Sequence, residues 1–226
     1  MNKTQRLNQW YEEQPDWVYA AYGEYMHVGA NQTTFQVALK GEAISTKSKI
    51  LDTACAVGGN ARWLASLHGC RVWGNDIDES RLQTARDLAD IEGIADLCTF
   101  VNASADDLEF DDEMFDMALT AEGVFDASEI MRVLKPGGKF IVSMFCEDPS
   151  ATFESLARDW GMDIEVARDV TALAFAFHRA KEQEARLLVE AGILQPRDLV
   201  KLLNELVTPY ASKGGRHLLM RLRKPV

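Results

Sequence analysis

The chain has 226 residues, of which 47% are hydrophobic, enough to bury one sizeable core rather than two. Its formal net charge of -11 and the lack of any Lys/Arg stripe argue against nucleic acids and anionic membranes, whose phosphates need basic surfaces. Cys55, Cys70, Cys98 and Cys146 form no Cys-x-x-Cys pair, so a zinc or redox motif is unsupported and reduced, buried thiols are expected. The start, Met-Asn-Lys-Thr-Gln-Arg, is not an apolar signal, and no run reaches transmembrane length. The expectation is a soluble cytoplasmic protein whose acidic field tolerates a cationic ligand.

In chain order, residues 1–47 look helical and aromatic, with Trp10, Tyr11, Trp17, Tyr19, Tyr22 and Tyr25 crowded ahead of the first strand. The central third then alternates β-rich runs with helical patterns, the signature of a parallel sheet with crossover helices. Strands are expected at Lys49–Asp52, Arg71–Asp76, Leu97–Val101, Phe115–Thr120 and Lys139–Phe145. Ala61, Leu64, Ala65 and Leu67 form an amphipathic helix ended by Gly69. A second runs from Asp78 as N-cap, with Leu82, Ala85, Leu88 and Ala89 buried and Gly93 past its end.

Beyond residue 150 the pattern reads as helices at Phe153–Trp160, around Val170–Ala191 and at Pro196–Leu206, and it places no strand between Phe145 and His217. His217–Arg223 alternates weakly and is expected to add an edge strand. The fold class is therefore α/β: a doubly wound, mostly parallel sheet with helices on both faces. One domain spans 1–226, with 1–47 as a helical aromatic lid, 48–146 as the core and 147–226 as a helical cap with a terminal strand.

Three markers carry the chemistry. In Lys49-Ile50-Leu51-Asp52-Thr53-Ala54-Cys55-Ala56-Val57-Gly58-Gly59-Asn60, an apolar run ends on an acid. Small residues then recur at alternate positions before a helix begins. Such a turn lets a ligand approach the backbone and the N–H groups of the helix start. A carboxylate beside it repels a pyrophosphate but accepts from an ammonium or hydroxyl group. The second marker, Asp76, ends its strand about 24 residues later, near the spacing at which nucleotide-binding α/β units hold a ribose. The third is Arg132-Val133-Leu134-Lys135-Pro136-Gly137-Gly138-Lys139, where proline stops a helix and glycines turn the chain into a buried strand.

From Lys49 to Phe145 these residues resemble the Rossmann-like class I S-adenosylmethionine-dependent methyltransferases. The likeness is to the small-molecule group that includes quinone C-methyltransferases and glycine, sarcosine or dimethylglycine N-methyltransferases. It implies S-adenosyl-L-methionine as cofactor, with Asp52, Thr53, Ala54, Cys55, Ala56 and Gly58 around its methionine part. Asp76 falls on the ribose, Ile77 against the adenine, and Ser104 and Ala105 beside the adenine amine. Thr120, Ala121 and Glu122 border cofactor and acceptor. Three departures stand out: Ala54 and Ala56 replace usual glycines, Ser104 replaces a usual aspartate, and the stretch from Asp116 to Arg132 is short. Alanine disfavours positive φ, so the loop is expected to run at negative φ there or to be displaced.

The acceptor is expected to be a small molecule, with acidic charge and aromatic residues favouring nitrogen in an amine or amino-acid derivative. Tyr22-Gly23-Glu24-Tyr25-Met26-His27 looks like the family's entry segment, and its rings either pack on the sheet edge or cover a cation. His27 and Glu122 are the candidate bases, and Tyr22 and Tyr25 can orient the substrate. His178 reads as packing in an apolar run. The acidic string Asp106–Glu113 lacks metal-ligand spacing and reads as a solvated loop, and methyl transfer needs no metal. A homodimer is compatible with these features. Two rivals remain open. Ala54, Ala56 and Gly59 loosely match a dinucleotide fingerprint, which would make an NAD(P)-dependent oxidoreductase, although Asp52 would face the pyrophosphate. The alternative is a non-catalytic binding or regulatory protein on the same fold.

Overall fold

The computed structural model describes residues 32–192 and 215–226. Helix α1 (Gln32–Leu39) precedes strand β1 (Lys49–Thr53) and helix α2 (Gly59–His68). Then come β2 (Arg71–Asp76), α3 (Glu79–Glu92), β3 (Cys98–Asn102), β4 (Phe115–Ala121) and α4 (Ala127–Val133). The chain continues through β5 (Leu134–Cys146), α5 (Phe153–Asp159), β6 (Asp163–Asp169), α6 (Thr171–Glu190) and β7 (Arg216–Arg223). The described strands form a seven-stranded sheet in the order β3-β2-β1-β4-β5-β7-β6. Strands β1 to β5 are parallel, and β7 pairs antiparallel with both β5 and β6.

Both faces of the sheet are covered, which is why its central strands read as continuous apolar runs. Ile50, Val72, Leu119 and Ile141 pack on one side with Phe35, Leu64, Leu82 and Ala85. Their neighbours Leu51, Ala118, Phe140 and Val142 pack on the other with Ile130, Val133 and Met220. Successive residues of one strand thus serve opposite layers.

The helix signals in the sequence act as expected in the core. Asp78 caps α3 by accepting from the N–H groups of Ser80 (2.9 Å) and Arg81 (3.3 Å). Gly93 and Gly69 end α3 and α2 at φ 76° and 64°. Helix α4 has only seven residues, in keeping with the short stretch before Arg132.

Two expectations are corrected. A strand, β6, does lie between Phe145 and His217; its Asp-Ile-Glu-Val-Ala-Arg-Asp sequence is largely solvent-facing, and only Ile164 and Val166 alternate with polar residues. Strand β7 is not an edge strand: it lies between β5 and β6, with Leu218, Leu219, Met220 and Leu222 fully buried. The acidic stretch 106–113 is exposed for the most part, as expected of a solvated loop, and it is also clamped. Arg132 donates to the carbonyls of Leu108 and Phe110, each at 2.7 Å, and pairs with Glu129 and Asp112. These contacts hold Leu108 in the core. The helix expected at Pro196–Leu206 and the aromatic segment 1–31 lie outside the described residues.

Candidate cofactor cleft

In a doubly wound sheet, ligands bind beyond the carboxyl ends of the strands where the strand order reverses. Here that point lies between β1 and β4. A cavity of about 260 Å³ opens nearby, lined by Ala54, Asn75, Asp76, Ile77, Arg81, Ala103, Ser104, Ala105, Asp106 and Val124. It gathers Ala54, Asp76, Ile77, Ser104 and Ala105 from the sequence-based set. Asn75, Arg81, Ala103, Asp106 and Val124 lie outside that set. Ile77 is 77% exposed and Val124 76% exposed, so the cleft presents two apolar side chains to a ligand.

The turn after β1 is the part that sequence reasoning had wrong. Ala54 and Ala56 adopt φ 53° and 50°, so the left-handed turn is kept with alanine in place of glycine. Such a conformation costs roughly 1–2 kcal/mol for each non-glycine residue. Tertiary ties impose it: Cys55 N–H donates to Asn75 O (2.9 Å), Gly58 N–H to Cys55 O (2.8 Å), and Ala56 N–H to the Asp76 carboxylate (2.8 Å). Glu122 is also left-handed at φ 58°. Of the four non-glycine residues with positive φ among the described ones, three therefore lie around this cleft. Strain of this kind gathers at ligand sites.

Gly58 caps α2 at φ 69°, and a Cβ there would lie 2.6 Å from the Phe100 ring. Its role in this structure is close packing as well as the turn. Gly123 has a similar constraint, since a Cβ would stand 2.5 Å from the Ala54 Cβ. The segment after β4 thus presses directly on the turn after β1.

Asp52, Thr53, Cys55 and Thr120 are buried beneath the turn and do not line the cavity. Asp52 accepts from the Ala61 N–H at 3.1 Å. Burial pushes its carboxyl up to about 8, opposed by the Ala61 hydrogen bond and reinforced by the Asp76 charge. Burial likewise raises the Cys55 thiol, with the charges of Asp52 and Asp76 adding to the effect, so this cysteine is a packing group rather than a nucleophile. Ala56 is half-buried.

Glu122 lies at the end of β4. Its N–H donates to Ser143 O at 2.8 Å, and its carboxylate accepts from Phe145 N–H at 3.3 Å. Its Oε1 sits 2.7 Å from Nε2 of His217 on β7. His27, Tyr22 and Tyr25 lie outside the described residues. His178 is on α6, and its side chain also lies outside the described set.

The residues present fit S-adenosylmethionine. Asn75 Oδ1, lining the cleft, and the hydroxyls of Thr53 and Thr120 behind the turn are buried without a hydrogen-bond partner, positions that a ligand or water must satisfy. Asp76 uses one oxygen on Ala56 N–H and the other on Asp78 N–H at 3.0 Å. A carboxylate offers about four lone-pair positions, so acceptor capacity remains for a diol.

Order of strands, covered faces and the cleft at the switch point define a class I Rossmann-like methyltransferase fold. Residues 50–138 match the family model described as "Methyltransferase domain". The chain is 35% identical over 107 residues to the methyltransferase GfsG of Streptomyces halstedii, covering 44% of this chain and 38% of that protein. It is 29% identical over 157 residues to the glycine/sarcosine/dimethylglycine N-methyltransferase of Actinopolyspora halophila, covering 62% of this chain and 27% of that protein. The chain thus matches well under half the length of either relative. Among solved structures, the phosphoethanolamine N-methyltransferase 2 of Haemonchus contortus, in complex with phosphomonomethylethanolamine and S-adenosylhomocysteine, superposes with a TM-score of 0.79 at 19% identity. That superposition covers 100% of this chain and 61% of the other. The relatives and the solved structure named here are methyltransferases.

Proposed function

We propose that the chain binds S-adenosylmethionine in this cleft and transfers its methyl group to a small-molecule acceptor. The observation that carries the reading is Asp76 on the wall of a cleft whose exposed apolar residues are Ile77 and Val124. A carboxylate that can accept from two hydroxyls, next to apolar surface for a flat base, is the recognition chemistry of a nucleoside. The cavity is smaller than the roughly 300–1,000 Å³ of sites that hold whole drug-sized ligands. The adenosine part occupies it in this reading, and the methionine part crosses the turn of residues 53–58 toward Thr120 and Glu122.

When bound, the cofactor supplies an electrophilic methyl on a sulfonium. The chain's own tasks are then to orient the acceptor, exclude water and accept a proton, and positioning supplies much of the rate. Glu122 is the described residue best suited to take a proton from an amine. His27, Tyr22 and Tyr25 remain candidates from the sequence alone, and the aromatic segment they belong to is proposed as the lid of a one-domain chain. Nitrogen as the methylated atom is supported by the negative charge and by the N-methyltransferases named above. Other relatives are named as a tocopherol O-methyltransferase from Arabidopsis thaliana and a sterol 24-C-methyltransferase from Gibberella zeae, so oxygen and carbon acceptors belong in the same assay.

Calorimetry with S-adenosylmethionine and S-adenosylhomocysteine, followed by transfer of a labelled methyl to a panel of amines, amino acids, phenols and alkenes, tests the reading. Binding of both nucleosides with labelled product from an amine supports it. Binding without any transfer favours a non-catalytic binding protein, and no binding refutes it.

A further inference from the structure

The structure joins two residues that lie 95 positions apart in sequence (217 − 122). His217 enters from β7, opposite Phe145 of β5 in the antiparallel register, and is 1% exposed. Its Nε2 lies 2.7 Å from Glu122 Oε1 and 2.9 Å from Ser143 Oγ. The ring edge carrying Nε2 thus meets the Glu122 carboxylate and the Ser143 hydroxyl together. The Glu122 side chain is 17% exposed: one end is gripped in the interior while the group still reaches solvent.

The grip is built from several elements. The His217 N–H donates to Thr171 Oγ1 at 2.8 Å, and that hydroxyl in turn donates to Asp169 Oδ1 at 2.6 Å. His217 O accepts from Val170 N–H at 2.8 Å. Asp169 and Arg216 are the further charged groups acting around this strand end. Glu122 is held in the left-handed region from its own side by the bond to Ser143 O. Gly123, immediately following, abuts Ala54 of the cofactor turn. A strained residue tied to a buried imidazole and placed beside the ligand turn is a preorganised group, not a surface carboxylate.

We propose that His217 is a positioning residue: it fixes the Glu122 carboxylate so that its charge faces the sulfonium end of the cleft. This rests on the cofactor reading above and adds to it a recognition element for positive charge. Electrostatic groups held in place before the ligand arrives act without reorganisation. The pair therefore discriminates the cationic S-adenosylmethionine from neutral-sulfur S-adenosylhomocysteine, which differ at that atom by one methyl and one charge.

The test is calorimetric affinity for both nucleosides on the full chain, for wild type, Glu122→Gln, His217→Gln and the double variant. Expected is a fall in the affinity ratio, S-adenosylmethionine over S-adenosylhomocysteine, of about fivefold or more in each single variant. The double variant should show no further fall, because His217 acts through Glu122. Affinity for S-adenosylhomocysteine should stay within about twofold of wild type throughout. A wild-type ratio in His217→Gln, additive effects in the double variant, or a parallel loss of both affinities overturns the positioning role. Glu122→Asp keeps the charge but is one methylene too short to keep the 2.7 Å contact with His217 Nε2, so the carboxylate is present and unanchored. It should lose the ratio as Glu122→Gln does, and a retained ratio counts against positioning even if His217→Gln fails to fold. Absence of any binding by wild type instead brings down the cofactor reading and this inference together.

Discussion

Ala56 donates its backbone N–H to Asp76 Oδ2 at 2.8 Å across a separation of 20 residues. One carboxylate thereby ties the turn after β1 to the end of β2, while its other oxygen accepts from Asp78 N–H. The group proposed to hold a ribose is also the group that shapes the turn beside it, and the charge-assisted bond is stronger than a neutral one.

Asp76→Ala should therefore lower affinity for S-adenosylmethionine and lower thermal stability together. The loss of hydrogen bonds to a charged group corresponds to about 1.5–3 kcal/mol, tenfold or more in affinity. Calorimetry and a melting curve on the same sample check both effects, and unchanged affinity would remove Asp76 from the ribose.

Ala54→Gly and Ala56→Gly should each stabilise the protein. Glycine adopts the observed φ of 53° and 50° without the Cβ penalty, although its looser unfolded state offsets part of the gain. A net gain of about 1 kcal/mol raises Tm by roughly 2–4 °C in a chain of this size. A drop in Tm for both variants would mean that the turn is not left-handed in solution.

Gly58→Ala should do the opposite. Its Cβ would meet Phe100 at 2.6 Å and Ala85 at 3.0 Å, on a backbone at φ 69°. Overpacking and strain together predict a loss of about 2–4 kcal/mol, read as a shift in the denaturation midpoint. The companion Gly58→Ala/Phe100→Leu variant should recover part of the loss, since it vacates the ring.

Asp52 gives a pH dependence whose sign follows from its raised titration. In the native state burial holds the carboxyl at about 8, while an unfolded aspartate titrates near 3.9. Between those values the native state retains a proton that the unfolded chain has lost. The contribution of this group to stability therefore falls as pH rises from about 4 to about 8. Asp52→Asn should flatten that part of the stability profile. A nearby cationic ligand favours the carboxylate, so binding of S-adenosylmethionine at neutral pH should release protons. Enthalpies measured in buffers of different ionisation heat read that release, and it should vanish in Asp52→Asn.

Strands β1 and β4 were legible because both their faces are covered, so apolar runs mark them; β2, Arg-Val-Trp-Gly-Asn-Asp, has no such run, yet it and its acid were read to the residue. Strand β6 was hidden because its seven residues are mostly solvent-facing and charged at both ends, and its partner lies far along the chain. The cleft residues Ile77, Ser104 and Ala105 were reached through family resemblance, whereas Val124 sits in a connection with no periodic signal. Ala54 and Ala56 misled because local propensity opposes their conformation, and only hydrogen bonds from β2 and its end override it. His217 was read as part of a weakly alternating strand. Its tie to Glu122 depends on the inner placement of β7, which no local pattern encodes.

That inner placement orders the assembly of the molecule in time. Among the described strands β6 has only β7 as its pairing neighbour, and β7 is synthesised after it and after α6. While the ribosome is still making the later segment, β5 has an open edge and β6 has nothing to join. The half of the sheet that carries the nucleoside cleft can form first; the Glu122–His217 contact waits for nearly the whole described chain. A nascent chain can thus become able to hold a nucleoside before it gains the anchored carboxylate beside the reacting group.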